Sequence, residues 1–328
     1  MADVAARVGV SRALVSLVFR GAEGASQETR ERVFRAAAEC GYQPDTAARM
    51  LRRRRSGFLG VVYTASDPFH AELVEAVYPA AEQRGYNVVL SAVTAARDER
   101  EAVGDLLGFR SEALMVIGHR ALSEELAPLV AGTPAVTVGA RLPGTPFDSV
   151  RTNDAQGVRQ AVDHLVESGH RSIAHIDGGS MLSAAARRRG YREAMRRHGL
   201  QEEITVLPGD YSEDSGVRAA HELCRRDRLP TAVVAGNDRC AVGLLDSLLR
   251  LGVDVPGEVS VVGYDDSQLA RLSHVDLTTV RQDAGQTAES AIQALVERLD
   301  GGRTEAKDVV LRPELIVRGT TGPPRTAS

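Results

Sequence analysis

The chain has 328 residues, of which 43% are hydrophobic and 26% charged, and its net charge is −4. These values are ordinary for a globular protein, and they exclude a disordered chain and a disulfide-stapled miniprotein. The three cysteines lie far apart and outside any C-x-x-C pattern, so we expect neither a disulfide framework nor a metal site. No apolar stretch approaches the roughly 20 residues of a membrane span, and we expect a cytoplasmic protein without a membrane partner.

The small net charge conceals an uneven distribution. Residues 1–56 hold eleven arginines against six acidic residues, and the remainder of the chain is acidic overall. The basic excess ends in four consecutive arginines at 52–55. A local basic excess attracts a polyanion such as nucleic acid, but such runs also serve as solvated linkers, and charge alone leaves both interpretations open.

Three short helices are predicted at the start of the chain. Apolar spacing predicts helices over 2–8 and 12–19, separated by a break at Gly9-Val10, and a third helix over 27–40. On the second helix the apolar residues at i,i+4 spacing face inward. The side chains left on its opposite face are Ser11, Arg12, Ala13 and Ser16.

Helix, turn and helix in this order is the arrangement that places a second helix in the major groove of DNA. The four outward side chains would then reach base edges. The same periodicity is also typical of a three-helix cap without a DNA role. Periodicity therefore does not choose between the two interpretations.

A basic segment follows, in which Gln43-Pro44 imposes an extended bend before a short helix predicted over 46–53. This helix carries Arg49, Leu51 and Arg52. A helix this short is marginal in water, where about 12–15 residues are needed, so it would be stable only when docked. A hinge that folds on DNA would have this character.

From Gly57 onwards, short β-rich segments alternate with helical segments. The first series has strands over 58–63, 87–92, 113–117 and 135–138, with helices over 71–84, 98–107 and 123–130. The second series has strands over 172–176, 232–235 and 259–264, with helices over 156–168, 184–198, 215–226 and 240–251. This alternation predicts two doubly wound units with parallel sheets.

Polar residues follow several of these strands, where ligands bind in such sheets. They include Asp67, Asn237-Asp238 and Asp265-Asp266. Planar donors and acceptors on rigid strand ends suit a hydroxyl-rich or heterocyclic ligand. The chain has no G-x-S-x-G, Walker, G-x-G-x-x-G or H-E-x-x-H motif, so we expect neither an enzyme nor a cofactor or metal. An acid/base pair of Asp265 and Asp266 is disfavoured, because adjacent strand residues point to opposite faces.

An ordered set of short motifs spans the basic region: Asp3-Val4-Ala5, Gly9-Val10-Ser11, Val15-Ser16, and residues 28–33, 36–44 and 48–51. These motifs resemble the headpiece and hinge of lactose-repressor-type (LacI/GalR) regulators. The resemblance implies that Ser11, Arg12, Ala13 and Ser16 read the major groove, with Arg12 as the candidate for guanine. It also implies that Leu51, flanked by Arg49 and Arg52, is the wedge inserted at a central base step.

The resemblance continues through the acidic part of the chain, which is similar to the family's periplasmic-binding-protein-like core. Matching motifs include His164-Leu165, Gly236-Asn237-Asp238 and residues 259–266. The effector contacts that it implies are Asp67, Phe69, Arg187, Tyr211, Asn237, Asp238 and Asp265. Asp67 and His70 depart from the family's usual residues, and they would favour a more polar or cationic effector than a neutral sugar if they face the cleft.

The implied organisation is a helix-turn-helix head over 1–43, a hinge over 44–56 and a core over 57–328. Within the core, lobe one covers about 57–153 and 283–310, and lobe two covers about 154–282 and 311–328. The implied function is that of a homodimeric repressor, whose affinity for pseudo-palindromic operator DNA is controlled by a sugar or related metabolite bound between the lobes. The alternative is a cytoplasmic solute-binding protein without specific DNA recognition.

Overall fold

The computed structural model describes residues 1–19, 22–42, 55–118 and 123–325. The chain divides into two units, Met1–Ser56 and Gly57–Ser328. The predicted hinge helix lies outside the described residues, together with its Arg49, Leu51 and Arg52.

The first unit contains the three predicted helices: α1 (Ala2–Val8), α2 (Arg12–Phe19) and α3 (Gln27–Glu39). Gly9 ends α1 with a left-handed φ of 74°, a conformation that glycine adopts without a steric penalty. Ser26 caps α3, where its side chain accepts a hydrogen bond from Thr29 N. The core that joins the helices consists of Val4, Ala5, Val8, Val15, Val18, Val33, Ala36 and Ala37.

The second unit contains two sheets. Its strands in chain order are β1 (Phe58–Thr64), β2 (Asn87–Val93), β3 (Ala113–Ile117), β4 (Ala135–Val138), β5 (Asp148–Thr152), β6 (Ile173–Ile176), β7 (Thr205–Leu207), β8 (Ala232–Val234), β9 (Ser260–Asp265), β10 (Thr278–Arg281), β11 (Asp308–Leu311) and β12 (Glu314–Ile316). The first sheet has the parallel order β11-β5-β4-β3-β1-β2. The second has the order β12-β10-β9-β8-β6-β7, in which only the β10-β12 pair is antiparallel among the described residues.

Helices cover both faces of each sheet, as parallel strands require. In chain order they are α4 (Pro68–Glu82), α5 (Glu99–Gly108), α6 (Ser123–Leu129), α7 (Asp154–Glu167), α8 (Leu182–Arg197), α9 (Glu213–Cys224), α10 (Asp238–Arg250) and α11 (Ala284–Leu299). On the first sheet, α4 and α11 pack on one face and α5 and α6 on the other. On the second, α7 and α8 pack on one face and α9 and α10 on the other. The predicted fold class is therefore the observed one.

The chain passes between the sheets three times, after β5, after β10 and between β11 and β12. We call the layers around the first sheet lobe one and those around the second sheet lobe two. Because both sheets are mostly parallel, each lobe presents the carboxyl ends of its strands on one side. The first two crossovers begin at such strand ends.

The structure differs from the predicted elements mainly in its short strands. The predictions did not include β5, β7, β10, β11 or β12, which have three to five residues each. In β5 and β10, with sequences DSVRT and TTVR, there is no apolar run, and the other three are too short to show a strand pattern. Helix α7 starts two residues before its predicted first residue, because Asn153 caps it and accepts a hydrogen bond of 3.2 Å from Gln156 N.

Candidate functional site

A cavity of about 70 Å³ lies between the lobes, at the carboxyl ends of the strands. Lobe one contributes α4 and the ends of β3, β4 and β5. Lobe two contributes α8, the end of β9 and the loops after β7, β8 and β10. The predicted effector contacts that the structure brings together here are Asp67, Phe69, Arg187, Tyr211, Asn237 and Asp265. Asp238 does not line the cavity.

Arg187 is the buried cation of this site. Its Nε donates a hydrogen bond of 2.8 Å to Asp154 Oδ1, and its Nη1 donates one of 2.6 Å to the carbonyl of Gly236. Its Nη2 lies 3.8 Å from Asp265 Oδ1. The neighbouring carboxylates and tyrosines raise the pKa of Arg187 further despite its burial, so the side chain is a fixed positive charge.

Two tyrosines flank this guanidinium. Its central carbon lies 3.6 Å from the ring centroid of Tyr264 and 5.2 Å from that of Tyr211. Tyr211 adopts a positive φ of 65°, and its hydroxyl lies 3.2 Å from Ser183 Oγ. Burial raises the pKa of Tyr211 to about 12, so the phenol is neutral. Its ring offers an aromatic surface inside the cavity.

Asp265 ends β9 and enters the cavity with a positive φ of 120°. Gln282 Nε2 donates a hydrogen bond of 2.7 Å to Asp265 Oδ1. Burial raises the pKa of this carboxyl well above its ordinary value, with Arg187 acting in the opposite direction. Strained backbone and a buried carboxyl beside a cation are typical of a functional position.

Asp67 and His70 line the lobe-one side of the cavity. Asp67 Oδ1 caps α4 by accepting hydrogen bonds of 3.0 Å from Phe69 N and 3.4 Å from His70 N. His70 Nδ1 accepts a hydrogen bond of 3.1 Å from Thr64 N, and burial lowers the pKa of His70. A ring nitrogen that accepts an N–H bond carries no proton, so the imidazole is neutral. It adds no positive charge to the cleft.

Asn237 and Asp238 lie at the start of α10, but they point to different surroundings. Asn237 lines the cavity and caps the helix, because its Oδ1 accepts a hydrogen bond of 3.0 Å from Cys240 N. Asp238 is fully buried beside β10, where its carboxyl accepts hydrogen bonds from Ser267 and Thr279. Burial raises its pKa to about 7. Asp238 therefore anchors strands of lobe two, and the geometry gives no support to its predicted ligand contact.

Sequence reasoning did not identify two residues that hold the site together. Asp154 lies two residues beyond β5, and Gln282 follows β10 directly. Gln282 lines the cavity, and Asp154 holds Arg187 through a hydrogen bond. The rule that functional polar residues follow the strands of such sheets applies to both. Neither was found, because neither strand was predicted.

The exposed start of α2 carries the candidate nucleic-acid contacts. Ser11, Arg12 and Ala13 are exposed, and Ser16 is half-buried. Ser11 Oγ also accepts a hydrogen bond of 3.1 Å from Leu14 N, so this side chain caps α2. The opposite face of the helix is fixed in the three-helix core, which leaves this end as the part of α2 available to a partner.

Within the described ranges, no group of three or more histidine, cysteine, aspartate or glutamate side chains is arranged to hold a metal ion. In the same part of the chain, no helix has the length and apolarity needed to cross a bilayer.

Comparison with known families assigns both parts of the chain. Residues 1–45 match the family described as bacterial regulatory proteins, lacI family. Residues 162–321 match a periplasmic binding protein-like domain. The head and much of the core are thus recognised separately, in the order seen in the fold.

Individual relatives match across almost the whole chain. The HTH-type transcriptional regulator CelR of Thermobifida fusca is 36% identical, over 96% of this chain and 96% of that protein. A crystal structure of the lac repressor dimer bound to operator and the anti-inducer ONPF is 30% identical, with a TM-score of 0.82 and 98% of both chains covered. A structure of the transcriptional regulator CelR–cellobiose complex is 33% identical, with a TM-score of 0.72, 97% of this chain and 98% of that chain covered.

Proposed function

The chain belongs to the LacI family of bacterial regulatory proteins, and from that premise we propose that it is a homodimeric, cytoplasmic repressor whose operator affinity is set by a neutral, hydroxyl-rich ligand in the cleft. Its named relatives are transcriptional regulators. One relative of known structure holds cellobiose, and another is a dimer on its operator. We assign the cleft to binding without turnover.

The observation that carries the ligand assignment is Arg187, a buried cation held between two carboxylates inside the cavity. Its guanidinium is a rigid fork of donors, suited to the oxygens of a sugar ring or its hydroxyls. Asn237 adds an amide in the loop after β8, and Tyr211 and Phe69 add aromatic surface for the apolar C–H face of a pyranose. A few fixed polar groups among apolar walls are typical of a small-molecule site.

The charges of the cleft favour a neutral ligand over a cationic one. Arg187 is offset by Asp154 and lies close to Asp265. Arg151, which also lines the cavity, pairs with Asp308 at 2.8 Å. The carboxylate of Asp67 caps a helix, and the imidazole beside it is neutral. A charged ligand would find no unpaired opposite charge in the cleft, and it would lose its hydration on entry. Its binding is therefore disfavoured.

Ligand binding should change the relative position of the lobes, because the cavity is small and because Arg187 contacts the chain segment that joins the lobes. A cavity of about 70 Å³ is smaller than the roughly 300 Å³ at which small-molecule sites begin, so a ring-sized ligand requires the lobes to move. Arg187 is also bonded to Asp154, two residues after the strand that leaves lobe one. Such movement would change the geometry of the two DNA heads in a dimer by a coupling free energy of about 1–3 kcal/mol.

We assign DNA reading to residues 1–43, with Ser11, Arg12, Ala13 and Ser16 at base edges and Arg12 on guanine. The hinge, over 44–56, would place Leu51 in the minor groove between Arg49 and Arg52. A symmetric dimer would match a pseudo-palindromic operator. The core over 57–328 then carries dimerisation and ligand binding.

Isothermal titration of the full chain with neutral saccharides, an amino sugar and a sugar phosphate tests the ligand assignment. We expect at least one neutral saccharide to bind and to shift the melting temperature. Arg187→Lys should abolish this binding. Arg189→Lys, on the same helix but exposed and 4.0 Å from Glu193, is the matched control and should bind normally. Binding of the charged sugars alone would contradict the assignment.

A further inference from the structure

Helix α8 carries arginines that the ligand site does not use. Its sequence, LSAAARRRGYREAMRR, contains six arginines and a single acidic residue, Glu193. Arg187 is buried with the apolar side of the helix, which packs on lobe two through residues such as Tyr191 and Met195. The other five arginines are exposed or half-buried on the opposite side. Because the buried side is firmly packed, the helix presents these five arginines on a fixed surface.

Helix α7 extends this surface through Arg159, which lies 3.5 Å from Glu193. We call the surface the basic face, and it consists of Arg159, Arg188, Arg189, Arg192, Arg196 and Arg197. Within the described residues, the carboxylates that pair with it are Glu193 with Arg159 and Arg189, Asp163 with Arg197, and Asp177 with Arg188. Six arginines against three carboxylates leave an excess of three positive charges, in a part of the chain that is acidic overall.

Two arginines of the basic face are available to a partner. Arg192 and Arg196 are exposed, and neither forms an ion pair with another described residue. They lie one helical turn apart, at about 6 Å along the axis. The helix dipole stabilises cations in the last turn, which accounts for Arg196 but not for Arg189 and Arg192. A contact with an anionic partner accounts for all three.

The arrangement of these side chains suits a row of phosphates. A guanidinium offers a planar fork of donors that binds phosphate in two-point contacts. One strand of duplex DNA presents a phosphate about every 3.4 Å along the helix axis. The line from Arg189 through Arg192 to Arg196 covers about 10.5 Å, or roughly three of these intervals. Neighbouring arginines can therefore contact neighbouring phosphates of one strand.

The basic face does not have the composition of a protein interface. Protein interfaces usually have an apolar centre with aromatic anchors and few charges. In the described part of the chain, the large hydrophobic side chains that are exposed lie on other elements, such as Tyr78 of α4 and Leu249 of α10. Positive charge without apolar anchors is typical of binding to a nucleic-acid backbone.

We propose that the basic face is a second DNA contact, which binds the phosphate backbone of a duplex without regard to its sequence. This inference goes beyond the proposed function, which assigns DNA reading to the head, and it does not depend on the ligand of the cleft. Arg192 and Arg196 contact the phosphates, and Arg189 and Arg197 add positive charge beside them. A chain that holds one duplex through its head then holds a second segment of DNA through lobe two.

Bridging of two duplexes by the full chain tests this inference. A duplex of random sequence is fixed on beads and loaded with the chain, and a second, labelled random duplex is added at about 50 mM salt. We expect the loaded chain to retain the second duplex. Arg192→Ala/Arg196→Ala should reduce the slope of log affinity against log salt concentration by about two, or about one for each lost phosphate contact.

The charge-reversed variant Arg192→Glu/Arg196→Glu should lose the second duplex. Arg225→Glu/Arg228→Glu is the matched control, because these exposed arginines follow α9 on lobe two and change the net charge equally. The control should retain the second duplex as the unaltered chain does. Bridging through two heads of a dimer is the same in all these proteins, so the difference between the variants reports the basic face.

Equal retention by the reversed variant and the control would overturn the inference, as would failure of the unaltered chain to retain a second duplex. Retention of labelled polyglutamate in place of DNA would assign the face to an acidic protein and would also overturn it. Loading on the first duplex reports the head separately. If that loading is lost in Arg192→Glu/Arg196→Glu, the basic face binds DNA and the assignment of DNA reading to the head is wrong.

Discussion

Arg187 Nε and Asp154 Oδ1 are 2.8 Å apart, in a pair whose side chains are only 6% and 7% exposed. Arg187 belongs to α8, inside the cleft, whereas Asp154 begins α7 at the first crossover between the lobes. A ligand that takes hydrogen bonds from this guanidinium acts on the same side chain that holds the crossover. The pair thus joins the ligand site to the first crossover between the lobes.

Loss of this pair should lower the unfolding free energy of the chain and abolish its response to the ligand. Arg187→Ala leaves Asp154 and Asp265 buried without their cation, which costs about 3–5 kcal/mol of unfolding free energy. Arg187→Lys keeps the positive charge but loses the forked donors of the guanidinium. It should lower the unfolding free energy less than the alanine variant does and still abolish the ligand response. Urea denaturation and ligand titration of both variants check this. Normal stability of the alanine variant would contradict the described geometry.

A contact across the mouth of the lobes should tune ligand affinity. Glu72 of α4 accepts hydrogen bonds of 2.6 Å from Gln268 N and 2.7 Å from Arg271 Nη2, both on lobe two. Glu72→Ala removes this bridge, which holds the lobes in the arrangement whose cavity is too small for a ring, and should strengthen ligand binding by roughly 1 kcal/mol, or about fivefold. Titration calorimetry measures the change. Glu75→Ala on the same helix is the control, and equal affinities in all three proteins would refute the prediction.

His175 should make the fold sensitive to acid. It is buried on β6 and stacks on Tyr191 with ring centroids 5.3 Å apart, and burial lowers its pKa to about 4. Since the unfolded pKa is about 6.5, the folded state disfavours protonation, and this stability is complete above pH 6.5 and is lost as the pH falls towards 4. At pH 5 the loss from this group is about 2 kcal/mol.

The variant His175→Phe isolates that effect from the other histidines. Its unfolding free energy relative to the unaltered chain should rise by about 2 kcal/mol between pH 7.5 and pH 5. Chemical denaturation at the two pH values gives the difference directly. A constant difference would show that His175 does not titrate in this window.

Arg12 should set base preference, whereas other basic residues of the head should not. Arg12 is exposed at the start of α2, and Arg35 is exposed on α3. Arg12→Ala should cost about 1–3 kcal/mol on the preferred operator and relax specificity at one position of each half-site. Arg35→Ala should weaken binding less, and equally for all sequences. Equal losses on specific and random duplexes for Arg12→Ala would remove it from base reading.

Leu51 is predicted to kink the centre of the operator. Leu51→Ala should retain non-specific DNA binding, which depends on charge, and lose operator preference. A gel-shift series at fixed salt compares the two, and a circular-permutation assay of the bound duplex reports the bend. Unchanged operator affinity in the variant would refute the wedge.

The sequence identified the elements that carry strong periodicity. Helices α1 and α2 have the predicted bounds, because Gly9 ends α1 and the side chain of Ser11 caps the start of α2. The buried runs of β1 and β3 were predicted from apolar composition. The family was predicted from motifs, and the fold class of the core from the alternation of strands and helices; both are confirmed by relatives that match nearly the whole chain.

The cleft was predicted only in part, for physical reasons that particular residues show. Arg187 and Tyr211 were assigned through resemblance and lie in the cavity. Asp154 was missed because a sequence such as DSVRT does not show the apolar run of a strand, although β5 is mostly buried. Asp238 adjoins Asn237 in sequence, but its carboxylate turns into lobe two. The sequence can predict that a residue follows a strand. It does not predict which way the side chain points at the start of the next helix.

The most direct test of the account is selection from randomised duplexes by the full chain at near-physiological salt, followed by titration of the selected duplex with the saccharide that binds the cleft. We predict enrichment of a palindrome with a pyrimidine–purine step at its centre, and a change of about five- to 150-fold in affinity for it when the saccharide is added. The absence of any enriched sequence, or an enriched operator whose affinity no bound saccharide alters, would contradict the central claim.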